Sequence, residues 1–283
     1  MKRVSVNGIE LEYEARGSGE PVLLISSVIP DGLLPLASAP ALVDRYQLIR
    51  YHRRGLCGST HTPAPVSLRD HAADAAALLE YLGVTSAHVA GHSSGGSIAM
   101  QLAVERPDLV HTLVLLEPSV FSVPSAPSLF NRAAPALDAW RNADHETAVA
   151  SFLSLVSGLE WEACRGVMNE NVPGGMAQAA QDADTLFGIE LPSLSAWELG
   201  PEQAATITQP ALSVLGSDTE RLWVEVAALL RTWIPQVDEL TIDGIGHFLQ
   251  MQKPEPVVQG VAAFLHRHPM VASVMGSGSS PVT

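Results

Sequence analysis

Four stretches of this chain carry residues able to do polar chemistry in an arranged way. Gly91-His92-Ser93-Ser94-Gly95 places a serine two residues from a glycine on each side. His247 stands late in the chain, in a loop with Gly244 and Gly246. Glu117 closes the apolar run "VHTLVLL", and Asp218 follows the apolar run "ALSVLG". A serine hydroxyl is a weak nucleophile at neutral pH and needs a base within hydrogen-bond reach. An imidazole in turn needs a carboxylate to orient it and to stabilise its cation. Ser93, His247 and one of the two carboxylates would supply such a set. Both carboxylates, Glu117 and Asp218, qualify.

The elements around these residues suit that chemistry. "SAHVAG" reads as a strand, and Gly96 to Arg106 as a helix halted by Pro107. A serine on the turn between them stands at a strained backbone position, lifted above the edge of the sheet. Its flanking positions must be glycine, because the returning helix would strike a Cβ. The helix start then offers free N–H groups to developing negative charge. Ser94 and Ser97 have ordinary helix-start roles for their hydroxyls. Of the ten histidines, His92 packs inside the turn, and His71, His88, His266 and His268 fall on helices or strands. Asp243 serves the turn before His247.

Strand and helix alternate along most of the chain. "VSVNGIELEYEARG" is a hairpin around Asn7-Gly8. "EPVLLI", "RYQLIRYH", "SAHVAG", "VHTLVLL", "ALSVLG" and "VDELTID" read as strands, and "SLRDHAADAAALLEYLG", "LWVEVAALLRTWI" and "EPVVQGVAAFLHRH" as helices. The alternation predicts βαβ units and a mostly parallel sheet flanked by helices. The stretch from 121 to 200 shows helical patches only. It predicts an inserted helical cap, with the core formed by residues 1–120 and 201–270. The tail 271–283, "VASVMGSGSSPVT", is expected to be disordered.

Composition excludes several function classes. Sixteen basic against thirty acidic residues give a net charge of −14, which repels phosphate backbones and anionic lipid surfaces. No nucleic-acid or membrane partner is expected. The expected partner is a small-molecule substrate, with a homodimer as the one assembly left open. Two distant cysteines, Cys57 and Cys164, make no metal-ligand spacing. No metal and no cofactor are expected. The N-terminus lacks an apolar signal core, and the setting expected is cytoplasmic.

Three motifs together resemble the α/β-hydrolase superfamily over nearly the whole chain: "GHSSGG" its elbow, "YHRRGLCGST" its strand-and-turn pattern, and "IDGIGHFLQMQKPEPV" its late histidine turn and closing helix. The resemblance implies an α/β-hydrolase fold and a serine hydrolase acting through an acyl-enzyme. Most of the superfamily places its acid about three residues past the glycine of the later strand, an offset that falls here on Thr219, with Asp218 one residue early. Haloalkane dehalogenases and fungal zearalenone lactonases place it after the earlier strand, where Glu117 stands, so the resemblance implies Glu117 as the preferred acid and Asp218 as the alternative. "PDGL" at 30–33 is a further short match to those lactonases.

The oxyanion donors implied are the backbone N–H groups of Ser94 and Val28, each worth about 3 kcal/mol. The usual His-Gly before the second donor is replaced by Ser26-Ser27, which leaves Ser26 or Ser27 to add a hydroxyl donor, and Ser27 is expected at the substrate. From the cap, Phe187 and Trp197 are expected in the substrate pocket. The leading expectation is a serine esterase or lactonase for a small, uncharged, moderately hydrophobic substrate. The alternatives are carbon–carbon hydrolysis or perhydrolysis on the same residues, or a binding protein that retains the fold.

Overall fold

The computed structural model describes residues 1–63 and 65–270; the tail expected to be disordered lies outside the described residues. Asn7 and Gly8 both take left-handed backbone, φ 48° and 76°, as a two-residue hairpin turn demands. They join β1 (Lys2–Val6) to β2 (Ile9–Arg16) with Val6 opposite Ile9. β2 pairs antiparallel with β4 (Tyr46–His52). From there the sheet is parallel: β3 (Glu20–Ile25), β5 (Ala87–His92), β6 (Val110–Leu116), β7 (Ala211–Gly216) and β8 (Val237–Ile242). The order across the eight strands is β1-β2-β4-β3-β5-β6-β7-β8. This is the mostly parallel sheet flanked by helices that the strand–helix alternation predicts, and it agrees with the fold that the motif resemblance implies.

Successive strand residues face opposite sides of the sheet. Leu23, Val89 and Leu113 therefore pack with the helices Leu68–Tyr81, Ser94–Glu105 and Arg221–Trp233. Val22, Leu24, Ala90 and Val114 pack against Pro254–Arg267 on the other side. All six residues of β5 are buried, as expected of a strand covered on both faces. The consequence for function is positional. β3, β5, β6, β7 and β8 run in one direction, so Ser26–Val28, Ser93, Glu117, Ser217–Thr219 and His247 all follow the carboxyl ends of strands. Ligand sites of open parallel sheets gather at that edge.

Between β6 and β7 the described chain forms helices from Ala126 to Ala204 and no strand. Three of these matter for the site: His145–Ser157, a π-helical turn at Leu186–Glu190, and Leu191–Ala196. The segment before the π turn is tied to the loop after β4. Asp182 accepts from the Cys57 N–H at 2.9 Å, and Thr185 Oγ1 donates to the Gly55 carbonyl at 2.6 Å. The wall these helices build is thereby fixed to the sheet.

Candidate active site

Ser93 has φ 55° and ψ −123°, a conformation that L residues rarely hold without support from their surroundings. That support is visible. The Ser93 N–H donates to the Leu116 carbonyl at 3.0 Å, and its own carbonyl accepts from Gly96 (2.9 Å), Ser119 (3.1 Å) and Ser97 (3.3 Å). The glycines are there for space. A Cβ on Gly91 would sit 2.3 Å from the Gly95 carbonyl oxygen, and one on Gly95 only 2.0 Å from that of Ile25. Both obstacles are backbone and cannot swing away. Gly95→Ala is therefore expected to cost about 3 kcal/mol of stability. A thermal melt should show a fall of roughly 6–10 °C, and an unchanged midpoint would contradict this packing.

The imidazole of His247 is fixed from three sides. Its Nδ1 lies 2.7 Å from Glu117 Oε2. Its backbone carbonyl accepts from His92 Nε2 at 2.8 Å. Its ring stacks on the indole of Trp223, with centroids 3.6 Å apart and planes at 20°. An aromatic face in this position favours the cationic form of a stacked ring by about 0.5–2 kcal/mol. Glu117 is itself held at φ 44°. It accepts from the Gly216 N–H at 2.8 Å and from Thr219 Oγ1 at 2.9 Å, in addition to its contact with His247.

Burial pushes the Glu117 carboxyl up to about 7 and the His247 imidazole down to about 3. Both directions concern one proton shared across a 2.7 Å contact. The Gly216 and Thr219 donors favour the carboxylate, which leaves the proton on Nδ1 and the other ring nitrogen free to accept. His92 is buried beside this pair and is pushed down to about 3, first by burial and then by the neighbouring imidazole. Neutral, it serves as the donor that holds the His247 backbone.

Asp218, the alternative acid, does not approach the imidazole. It is exposed, and its Oδ1 accepts from the adjacent Ser217 hydroxyl at 2.7 Å. The next residue, Thr219, turns inward instead and bonds Glu117. The one-residue offset thus aims Asp218 at solvent. Trp197 is also displaced from its expected place. The helix Leu191–Ala196 ends just before it, its backbone turns extended (ψ 119°), and the indole N–H donates to Gln101 at 2.7 Å. It lines a separate depression with Gln101 and residues of the helix Leu191–Ala196.

Ser93 and His247 face a common cavity of about 240 Å³. Ser27, Val28, Ser94 and Phe187 line it too. The backbone N–H groups of Val28 and Ser94 donate no hydrogen bond among the described residues, and at Ser94 this follows from its place at a helix start. The hydrogen bond made by Ser93 Oγ runs to Ser119 Oγ, at 3.1 Å. Contacts between a nucleophile and its base often close only when substrate is bound. Ser119 and Trp223, and the bond of Thr219 to Glu117, are not marked by the sequence. Ser119 has a faint signal, two residues past Glu117. Trp223 lies on an amphipathic helix whose pattern marks it only as core. His52, held by Glu12 at 3.0 Å and Asp31 at 3.2 Å, lines a different depression. Among the described residues no cluster of three or more His, Cys, Asp or Glu side chains forms a metal site. No helix among them is long and apolar enough to cross a membrane.

Comparison with known proteins gives the same fold. The family model for the alpha/beta hydrolase fold matches residues 20–254. A putative carbamate hydrolase, RutD, of Azorhizobium caulinodans is 36% identical over 107 residues, 38% of this chain and 40% of the relative. The aligned part spans about two fifths of that relative's length. A thermophilic esterase from Thermogutta terrifontis superposes with a TM-score of 0.73 at 22% identity, over 95% of this chain and all of the esterase. The enol-lactonase from Burkholderia xenovorans LB400 superposes with a TM-score of 0.66 at 20% identity, over 94% of this chain and all of that enzyme.

Proposed function

The chain belongs to the alpha/beta hydrolase fold family, and from that premise we propose that it is a serine hydrolase cleaving a small, uncharged, moderately hydrophobic ester or lactone. The observation that carries the proposal is the pairing of His247 Nδ1 with a buried Glu117 at 2.7 Å, in the wall of the cavity that Ser93 faces. Ser93 Oγ attacks the substrate carbonyl carbon as the free nitrogen of His247 takes its proton. The carbonyl oxygen gains negative charge and is met by the N–H groups of Ser94 and Val28. The C–O bond to the alcohol breaks, and His247 returns the proton to the leaving oxygen. A water then repeats the sequence on the acyl-enzyme and releases the acid. In a lactone the leaving alcohol stays attached to the acyl chain.

The substrate class follows from the cavity wall. The wall is dominated by Leu, Phe, Val and Ile side chains, and no Lys or Arg lies among its described residues. The one carboxylate among them, Glu190, is already paired with Arg53 and offers an anion no counter-charge. Moving an unpaired carboxylate into such surroundings costs several kcal/mol. The esterase and the enol-lactonase that share the fold act on neighbouring chemistry. 4-Nitrophenyl butyrate should therefore be hydrolysed with a kcat/KM at least about 100-fold above that of 4-nitrophenyl hemisuccinate, which has an acyl chain of matched length and one charge. Equal rates, or preference for the charged ester, would overturn the assigned class.

A further inference from the structure

One polar group in the cavity wall has no part in the steps above. Glu190 ends the π-helical turn Leu186–Glu190 and lines the cavity. Such turns in otherwise α-helical segments often mark functional positions. Its Oε2 accepts from Arg53 Nη2 at 2.7 Å, and both side chains are almost fully buried. Arg53 Nε donates in turn to the Ser26 carbonyl at 2.9 Å, one residue from Ser27 and two from Val28. Glu190 is thus locked against the loop that carries the expected oxyanion donor. Its second oxygen, Oε1, is buried and has no hydrogen-bond partner among the described residues. A buried carboxylate oxygen left without a donor is costly, and native proteins seldom keep one without a use.

We propose that Glu190 is an acceptor subsite, and that the substrate carries a hydroxyl or amide N–H which donates to Oε1. The proposal rests on the reading of this cavity as the substrate site and narrows the class to hydrogen-bond-donating esters or lactones. Arg53 fixes the orientation of the carboxylate by donating to Oε2, which leaves Oε1 as the acceptor turned to a ligand. An ether or ester oxygen placed there would meet a lone pair. A site built around a polar partner rejects analogues that lack it far more strongly than an apolar wall rejects a change of size.

The test is binding and does not depend on hydrolysis. 4-Propylphenol and 4-propylanisole differ in one respect, that only the phenol can donate. The anisole is the more hydrophobic, so a merely apolar cavity would favour it. Calorimetry on the wild-type chain should show the phenol binding about tenfold more tightly or better. Arg53→Met with Glu190→Leu replaces the ion pair by apolar groups of similar size, a change buried pairs often tolerate. In that protein the preference should vanish or reverse. In Glu190→Gln, which keeps shape and one acceptor, it should fall at least about threefold.

Wild-type protein without preference for the phenol overturns the proposal and leaves Oε1 satisfied by a buried water. A preference that survives both variants overturns it as well, since the donor is then held elsewhere, as at His247. Should the chain bind the phenol as expected but hydrolyse no ester, the subsite stands and the hydrolase reading fails.

Discussion

Ser93→Ala is expected to reduce kcat on 4-nitrophenyl butyrate by about 10⁶-fold, the scale on which a lone nucleophile matters in such a set. The side chain leaves no substitute. Ser119 Oγ is 3.1 Å from Ser93 Oγ, but it does not stand on the strained turn, and it is not followed by helix-start N–H groups. KM should change little, because the hydroxyl adds almost nothing to ground-state binding. The thermal midpoint should stay within roughly 2 °C of wild type, since removing one hydroxyl at a site away from close packing falls within about 0.5 kcal/mol. Retention of more than about one per cent of kcat would contradict the role given to Ser93.

The second large effect separates two carboxylates. Glu117→Ala should lower kcat by about 10⁴-fold, while Asp218→Ala should stay within about twofold. The first change removes the acceptor of His247 Nδ1 and leaves Gly216 N–H and Thr219 Oγ1 without their partner. Three donors, two of them buried, lose one acceptor, so stability should fall as well, by about 3 kcal/mol. Glu117→Gln separates the two losses. It keeps the volume and can still accept, but it carries no charge to stabilise the imidazolium, so kcat should fall while the melt recovers. The second change removes a solvated side chain whose contact is with its neighbour Ser217. Parallel kinetics and melts on the three variants check both halves. A larger loss of turnover at Asp218 would reverse the assignment.

The legibility of these features differs by cause. The sheet could be read because its signals are local: Asn7-Gly8 forces a hairpin, and apolar runs between helical periods force parallel pairing. The geometry around Ser93 was legible for a steric reason, as a Cβ at Gly91 or Gly95 would collide with backbone. The choice between Glu117 and Asp218 was not fixed by spacing. Both follow strands at one sheet edge, and which carboxylate points inward is set by the turn Ser217-Asp218-Thr219, where one residue of register exchanges solvent for core. Trp197 and Phe187 are of similar type and lie in one segment. Only the end of a helix at Ala196 sends the indole to Gln101, while Phe187 stays in the cavity wall. Ser119 and Trp223 reach the site through tertiary packing. The pairing of Arg53 with Glu190 spans 137 positions in sequence, beyond any pattern read along the chain.

Reaction with a fluorophosphonate, followed by peptide mass mapping, tests the central claim most directly. The reagent mimics the tetrahedral centre and bonds to an activated nucleophile without any need to know the substrate. One adduct per chain is expected, on the hydroxyl of Ser93. Its formation should slow by about three orders of magnitude or more in His247→Ala, and Ser93→Ala should yield no adduct at all. An adduct on Ser119, or an unlabelled but folded wild-type chain, would contradict it.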